Sequence, residues 1–147
     1  MAQGLELRDG EIYLEIYEFL EAANGNPLTY RFNIRTQIDN KVVGRCSFRV
    51  GNTDNRHIKY GGNIGYNVYE KYRGNKYSLK ACRLLLILAK YHGMEAVYIT
   101  CDPANMASRR ICELLGAAFI TILNLPEDDY NYVINNIKHH CLYKMTL

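Results

Sequence analysis

The chain has 147 residues, 48% of them hydrophobic and 22% charged, and its 18 basic and 15 acidic side chains leave a formal net charge of +3. A chain of that length buries roughly two-thirds of its unfolded surface, enough for a core without disulfide or metal staples, and its composition is unlike that of disordered chains. The charge excess falls short of the clustered basic footprint of a duplex-binding protein, and the longest apolar run, residues 84–89, is far below the roughly 18 residues a membrane span needs.

One domain covering residues 1–147 is therefore expected, with no nucleic-acid or membrane partner. The start Met1-Ala2-Gln3-Gly4-Leu5-Glu6 has no basic segment or apolar stretch, so a cytoplasmic protein is expected. Cys46, Cys82, Cys101, Cys112 and Cys141 are odd in number and form no CxxC pair, which fits reduced thiols. The adjacent His139 and His140 would point to opposite faces of a strand, and no partner cluster lies near them and Cys141 in sequence, so no metal site is expected.

In chain order, residues 11–23 carry Ile12, Ile16, Phe19, Leu20 and Ala23 at helical spacing between acidic residues, which predicts an amphipathic helix ending at Asn24-Gly25-Asn26-Pro27. Residues 29–38 and 42–50 alternate and are joined by Asp39-Asn40-Lys41, a β-hairpin. A polar loop follows, then a short strand at 57–60 and a clearer one at 63–69. The period then changes from two to 3.6: residues 78–92 are apolar around most of the helix and stop before Gly93. Residues 95–101 read as a strand covered on both faces, and a second helix follows Asp102-Pro103 and stops at Gly116, with Asp102 as its expected N-cap. Residues 117–125 and 141–147 are the last strands. The order predicts a mixed α/β (α+β) fold with a mostly antiparallel central sheet flanked by helices.

Two constellations carry chemistry. The segment from Tyr69 to Ser78 leads into the most buried helix, whose free backbone N–H groups and partial positive charge can bind an anion, with Arg73 and Lys76 beside them. That makes a seat for a pyrophosphate; a solvated basic turn is the alternative. Neither a Walker A nor a GxGxxG pattern is present. On the helix after Pro103, Ala107, Ile111, Leu114 and Leu115 read as the core face, while Asn105, Ser108 and Cys112 fall within about 60° of one another on a neighbouring face suited to lining a cleft. Small fillers at a helix–sheet contact are the bland alternative. Arg109, Arg110 and Glu113 are left for solvent.

These residues resemble the GNAT family of N-acetyltransferases over residues 63–119. Asn63-Ile64-Gly65-Tyr66-Asn67-Val68 is similar to the family's fourth strand, and Tyr72-Arg73-Gly74-Asn75-Lys76-Tyr77-Ser78 lies where the family has its Q/R-x-x-G-x-G/A loop. The block from Asn105 to Ser108, followed by Glu113-Leu114-Leu115-Gly116 and Phe119, matches N-x-x-A/S, then E-x-L-G and an aromatic residue.

The resemblance implies an acyl-CoA N-acyltransferase fold and acetyl transfer from acetyl-CoA to an amine of a small molecule or an exposed peptide. No metal is implied, and a homodimer is a candidate assembly. It implies cofactor binding by Tyr66, Val68, Arg73, Gly74, Asn75, Lys76, Tyr77, Ser78, Asn105 and Ser108. Where many members place a general-acid tyrosine this chain has Cys112, the candidate catalytic residue, with inert packing as the alternative. Lys76 replaces a loop glycine, and Asn63 stands near the place of a carboxylate that often serves as base. A domain of the same fold that binds acyl-CoA without turnover is the rival function. The acceptor is expected to be set by the first helix and the loop at 51–56.

Overall fold

The computed structural model describes residues 4–147. It contains β1 (Ile12–Leu20), β2 (Thr29–Thr36), β3 (Val42–Arg49), α1 (Arg56–Gly61), β4 (Ile64–Val68), α2 (Tyr77–Tyr91), β5 (Ala96–Cys101), α3 (Met106–Leu115), β6 (Ala118–Asn124), α4 (Tyr130–Asn135) and β7 (His139–Thr146). The strands form two antiparallel sheets, one ordered β1-β2-β3-β4 and the other β5-β7-β6. The α/β class with antiparallel sheets flanked by helices is as expected; several elements are not.

The expected first helix is strand β1. Ile12 and Leu14 are buried while Tyr13 and Glu15 are not, so the true period is two. A bulge between Ile16 and Glu18 then shifts the register, and Phe19 returns to the core face with its ring edge-on to Tyr30 at 5.1 Å. The three-residue step from Ile16 to Phe19 produced by that bulge is what imitates a helical repeat. Asn24 and Gly25, both at positive φ, close the chain between Ala23 and Asn26, whose N–H and C=O groups bond each other. These dihedral signs are those of a tight hairpin turn that Asn-Gly favours.

The expected strand at 57–60 is helix α1. The Asn55 side chain accepts from the His57 and Ile58 N–H groups, which starts a helical turn where apolar spacing alone is uninformative. A second short helix, α4, lies in the Tyr/Asn-rich stretch between the last two strands, capped by the Asp129 side chain.

Helix α2 is the packing centre. Leu85, Leu88, Ala81, Cys82 and Ala89 are inaccessible to solvent, and the helix lies against β1, β3, β4 and β5. It ends as expected at Gly93: the Gly93 N–H bonds the Lys90 carbonyl and the Met94 N–H the Ala89 carbonyl, the paired closure of a glycine-terminated helix. The face of the first sheet turned toward α2 holds Ile34, Phe48 and Ile64 in the core.

One residue sets the relation of the sheets. Asn63 is 1% exposed, and its N–H donates to the Tyr98 carbonyl (2.7 Å) while its Oδ1 accepts from the Tyr98 N–H (2.8 Å). Its Nδ2 donates to the carbonyls of Arg49 and Gly51 at 2.8 and 2.9 Å. Asn63 thus clamps the start of β4 to β5, and beyond it the two strands share no ladder. Gly62 makes that approach feasible, since a Cβ there would stand 2.9 Å from the Tyr98 carbonyl oxygen and its φ is +74°.

Candidate active site

Past the Asn63 clamp lies a cavity of about 390 Å³ bounded by the end of β4, the loop into α2, the first turn of α2 and one side of α3. β4 is an edge of its sheet, so the backbone groups on its outer side are available to pair with an extended chain.

The loop wall is cationic. Arg73 and Lys76 line it, and no acidic side chain does. Arg73 Nε donates to the Val68 carbonyl at 3.2 Å, which ties the loop to β4. Lys76 is the N-cap of α2 in the left-handed region, with φ 61° and ψ 25°, and contributes no side-chain cap. The family-loop glycine is therefore replaced by a residue that keeps the left-handed backbone a glycine would favour. With no capping side chain, the first N–H groups of this 15-residue helix face the cavity rim unpaired. Such a rim, flanked by two cations, suits a phosphate group.

The α3 wall differs from expectation. Cys112 and Leu115 are the buried residues of α3, whereas Ala107, Ile111 and Leu114 line the cavity. Both stripes are helically spaced, and a protonated Cys is as apolar as Ala, so the pattern alone does not choose between them. Asn105, not Asp102, caps α3, its Oδ1 accepting from the Ser108 N–H at 3.1 Å. Its NH₂ has no partner among the described residues and remains a free donor on the cavity wall. Arg109 is not left to solvent: its Nε donates to the Tyr143 hydroxyl at 3.2 Å.

Of the residues expected to hold the cofactor, Tyr66, Val68, Arg73, Gly74, Lys76, Tyr77, Ser78, Asn105 and Ser108 all border this one cavity. Asn75 does not; its Nδ2 donates back to the Tyr72 carbonyl at 3.0 Å and shapes the loop. Sequence reasoning missed Asn67, Tyr72 and the apolar stripe of α3. The one signal for that stripe was the i, i+4, i+7 spacing, which was assigned to the core.

Cys112 is placed behind this wall. It is inaccessible to solvent, it does not border the cavity, and burial pushes its thiol up to about 12. Three tyrosines, Tyr66, Tyr72 and Tyr77, border the cavity, and burial holds the Tyr66 hydroxyl protonated far above the ordinary tyrosine range. Asn63, expected near a base position, has every side-chain hydrogen bond committed to the sheet junction. His92 lies away from the cavity with its Nε2 2.8 Å from the Tyr30 hydroxyl. No cluster of metal-ligating side chains occurs among the described residues, and none of their helices is long and apolar enough to cross a membrane.

Comparison with known proteins gives one direction. The family model described as an acetyltransferase (GNAT) domain matches residues 5–118. A GNAT-family acetyltransferase from Bacillus anthracis is structurally similar over 79% of this chain and 65% of its own, at 20% identity and a TM-score of 0.63. The microcin C7 self-immunity acetyltransferase MccE, solved with acetyl-CoA and AMP, is similar over 81% of this chain and 61% of its own, at 20% identity and a TM-score of 0.62. RimL, a ribosomal L7/L12 alpha-N-protein acetyltransferase solved with coenzyme A, is similar over 81% of this chain and 62% of its own, at 18% identity and a TM-score of 0.62. The chain thus spans less than two thirds of the length of each, and at these identities the likeness is one of fold. No curated protein matches its sequence.

Proposed function

Because the chain belongs to the GNAT acetyltransferase family, we propose that it transfers an acetyl group from acetyl-CoA to an amine, in the cavity between β4 and α3. The observation that carries this reading is the pairing of an uncapped helix start beside Arg73 and Lys76 with an unpaired β4 edge across the same cavity. The first matches a pyrophosphate and the second an amide-bearing arm, the two ends of one CoA molecule.

Acetyl-CoA, when bound, supplies the activated acetyl group. The chain's own residues act by placement. The first turn of α2 holds the phosphates, Asn105 offers its NH₂ to the arm, and Ala107, Ile111 and Leu114 exclude water from one side of the gap. Tyr66, kept protonated by burial, donates a hydrogen bond to charge developing at the gap, and the proton released by the attacking amine neutralises the departing sulfur. Cys112, buried and with its thiol raised to about 12, packs α3 and takes no part.

The burial of Cys112 also favours a second reading, a domain that binds acyl-CoA without turnover. Two measurements separate the readings. Acetyl-CoA should raise the melting temperature, by the equivalent of about 2.7 kcal/mol at 100 times its dissociation constant; thiol release should then appear across a panel of amines. Stabilisation without thiol release on any amine leaves the binding domain, and no stabilisation at millimolar acetyl-CoA refutes both.

A further inference from the structure

A second cavity, of about 310 Å³, lies on the opposite side of the first sheet, framed by the Asn24-Gly25 turn, β2, the end of β3 and the start of α1. Its floor carries Arg31, Ser47 and Arg49, with His57 at the rim and Glu21 as the only acidic residue in its lining. Arg31 is paired with Glu18 at 2.7 Å. Arg49 is different: one of its guanidinium nitrogens donates to the Gly62 carbonyl at 3.2 Å, yet it has no carboxylate partner among the described residues. Burial, with Arg31 nearby as a further positive charge, lowers its affinity for its own proton. Half-buried cations without a counter-charge are unfavourable in an empty pocket and favourable in one that receives an anion.

The cavity and the proposed transfer site share no lining residue and lie on opposite faces of the first sheet, but both come up against β4 and its partner β3. Ser47 pairs across the ladder with Gly65, and a Cβ at Gly65 would lie 2.9 Å from Ser47 Oγ, so no side chain stands between the cavity floor and β4 at that level. The residue after Gly65 is Tyr66, which borders the first cavity. Arg49, whose N–H bonds the Asn63 carbonyl, is three strand residues from the level of Tyr66, on the order of 10 Å. An extended molecule that starts at Arg49 on the open face and passes the free edge of β4 can therefore reach the level of Tyr66.

We propose that the cavity at Arg31 and Arg49 seats the anionic group, a phosphate or carboxylate, of the amine that accepts the acetyl group. The acceptor is then an anionic amine whose charge lies on the order of 10 Å from its nitrogen. This rests on the acetyltransferase reading, but the cavity binds an anion whether or not that reading holds. The fork of Arg49 gives two donors to one oxyanion, and Arg31, exchanging part of its contact with Glu18, gives a third.

The probe is inorganic phosphate, titrated against the melting temperature at constant ionic strength, with saturating CoA present to fill the first cavity. Wild type should show saturable stabilisation, and Arg49→Gln and Arg31→Gln should each weaken phosphate about tenfold while responding to acetyl-CoA as wild type does. Arg31→Gln serves if Arg49→Gln does not fold, because Arg31 is the more exposed of the two. Stabilisation that follows ionic strength alone, or that both variants retain, overturns the proposal. A second arm uses amines matched in length that end in phosphate, carboxylate or a neutral amide. Wild type should prefer one of the anionic pair by about tenfold in kcat/KM, the better of the two identifying the group, with the preference lost in the variants. Equal rates for charged and neutral amines overturn the assignment to the acceptor. Failure of CoA to stabilise the protein would instead refute the acetyltransferase reading, and phosphate binding is then measured without it.

Discussion

Lys76 holds a left-handed backbone at the position where two demands meet, and substituting it separates them. A non-glycine residue there costs about 1–2 kcal/mol against a relaxed backbone, and glycine removes that cost while losing roughly 0.5–1 kcal/mol through the greater freedom of the unfolded chain. Lys76→Gly should therefore be more stable than wild type by up to about 1.5 kcal/mol, or about 3–6 °C in a chain of this size. Lys76→Ala keeps the Cβ and the strain, so its stability should stay near that of wild type. Both variants lose the same cation at the start of α2, and both should bind acetyl-CoA about tenfold more weakly while binding a pantetheine fragment nearly as well. Thermal melts give the first comparison and calorimetric titrations the second. Equal melting temperatures for the glycine and alanine variants would refute the strain at Lys76, and undiminished CoA affinity in both would remove Lys76 from the phosphate seat.

Arg73→Ala should also weaken CoA more than pantetheine, and because its Nε ties the loop to the Val68 carbonyl it should increase proteolysis at the loop, which Lys76→Ala should not. Cys112→Ala should keep wild-type turnover and cost about 1 kcal/mol of stability, whereas Cys112→Tyr, placed in a filled core, should be destabilised by about 1–3 kcal/mol without gaining rate; a large fall in saturated rate for the alanine variant would return Cys112 to the chemistry. Burial lowers the pKa of His92 below its ordinary 6.5, so the unfolded chain takes up protons first and stability should fall as pH drops through about 6.5 toward the folded-state value. Urea melts between pH 8 and 5 should show that slope in wild type and a shallower one in His92→Gln, and equal slopes would refute it.

Much of the site was legible in sequence because its parts are local. The loop from Tyr72 to Ser78 and the start of α3 are contiguous stretches whose chemistry follows from helix ends, and seven of the cofactor residues named from them border one cavity. The errors have a common cause, which is that period is read from a window and burial is decided by the partner. A bulge at Ile16/Glu18 made a strand look helical, and α3 presented two helically spaced stripes of which packing against β5 selected the one with Cys112. The Asn24-Gly25 turn and the Asn55 cap are visible as residue types, but the first reads as the end of a helix and the second as part of a polar loop before a strand.

The first of those errors bears on the acceptor. With a helix at 11–23, the open face of the first sheet would have been covered and the acceptor pocket would have been built from that helix. As a strand, β1 instead extends the sheet by hydrogen-bonding to β2, and the connection between them is a tight turn. The face away from α2 is then bordered by side chains alternating with the core set: Tyr13, Glu15, Arg31, Asn33, Arg35, Arg45, Ser47 and Arg49. Most of its charges are mutually satisfied, Arg35 by Glu15 at 2.9 Å and Arg31 by Glu18, and the Arg45 guanidinium lies 4.7 Å from the centre of the Tyr17 ring. Arg49 alone among these arginines is without an acidic or aromatic partner among the described residues, and it stands at the end of β3 nearest the Asn63 clamp. The junction at Asn63 thus also holds the backbone of Arg49, through the Arg49 N–H to the Asn63 carbonyl and the Asn63 Nδ2 to the Arg49 carbonyl. On the proposed reading, acceptor selectivity in this chain is accordingly a property of the sheet's open face and not of a covering helix.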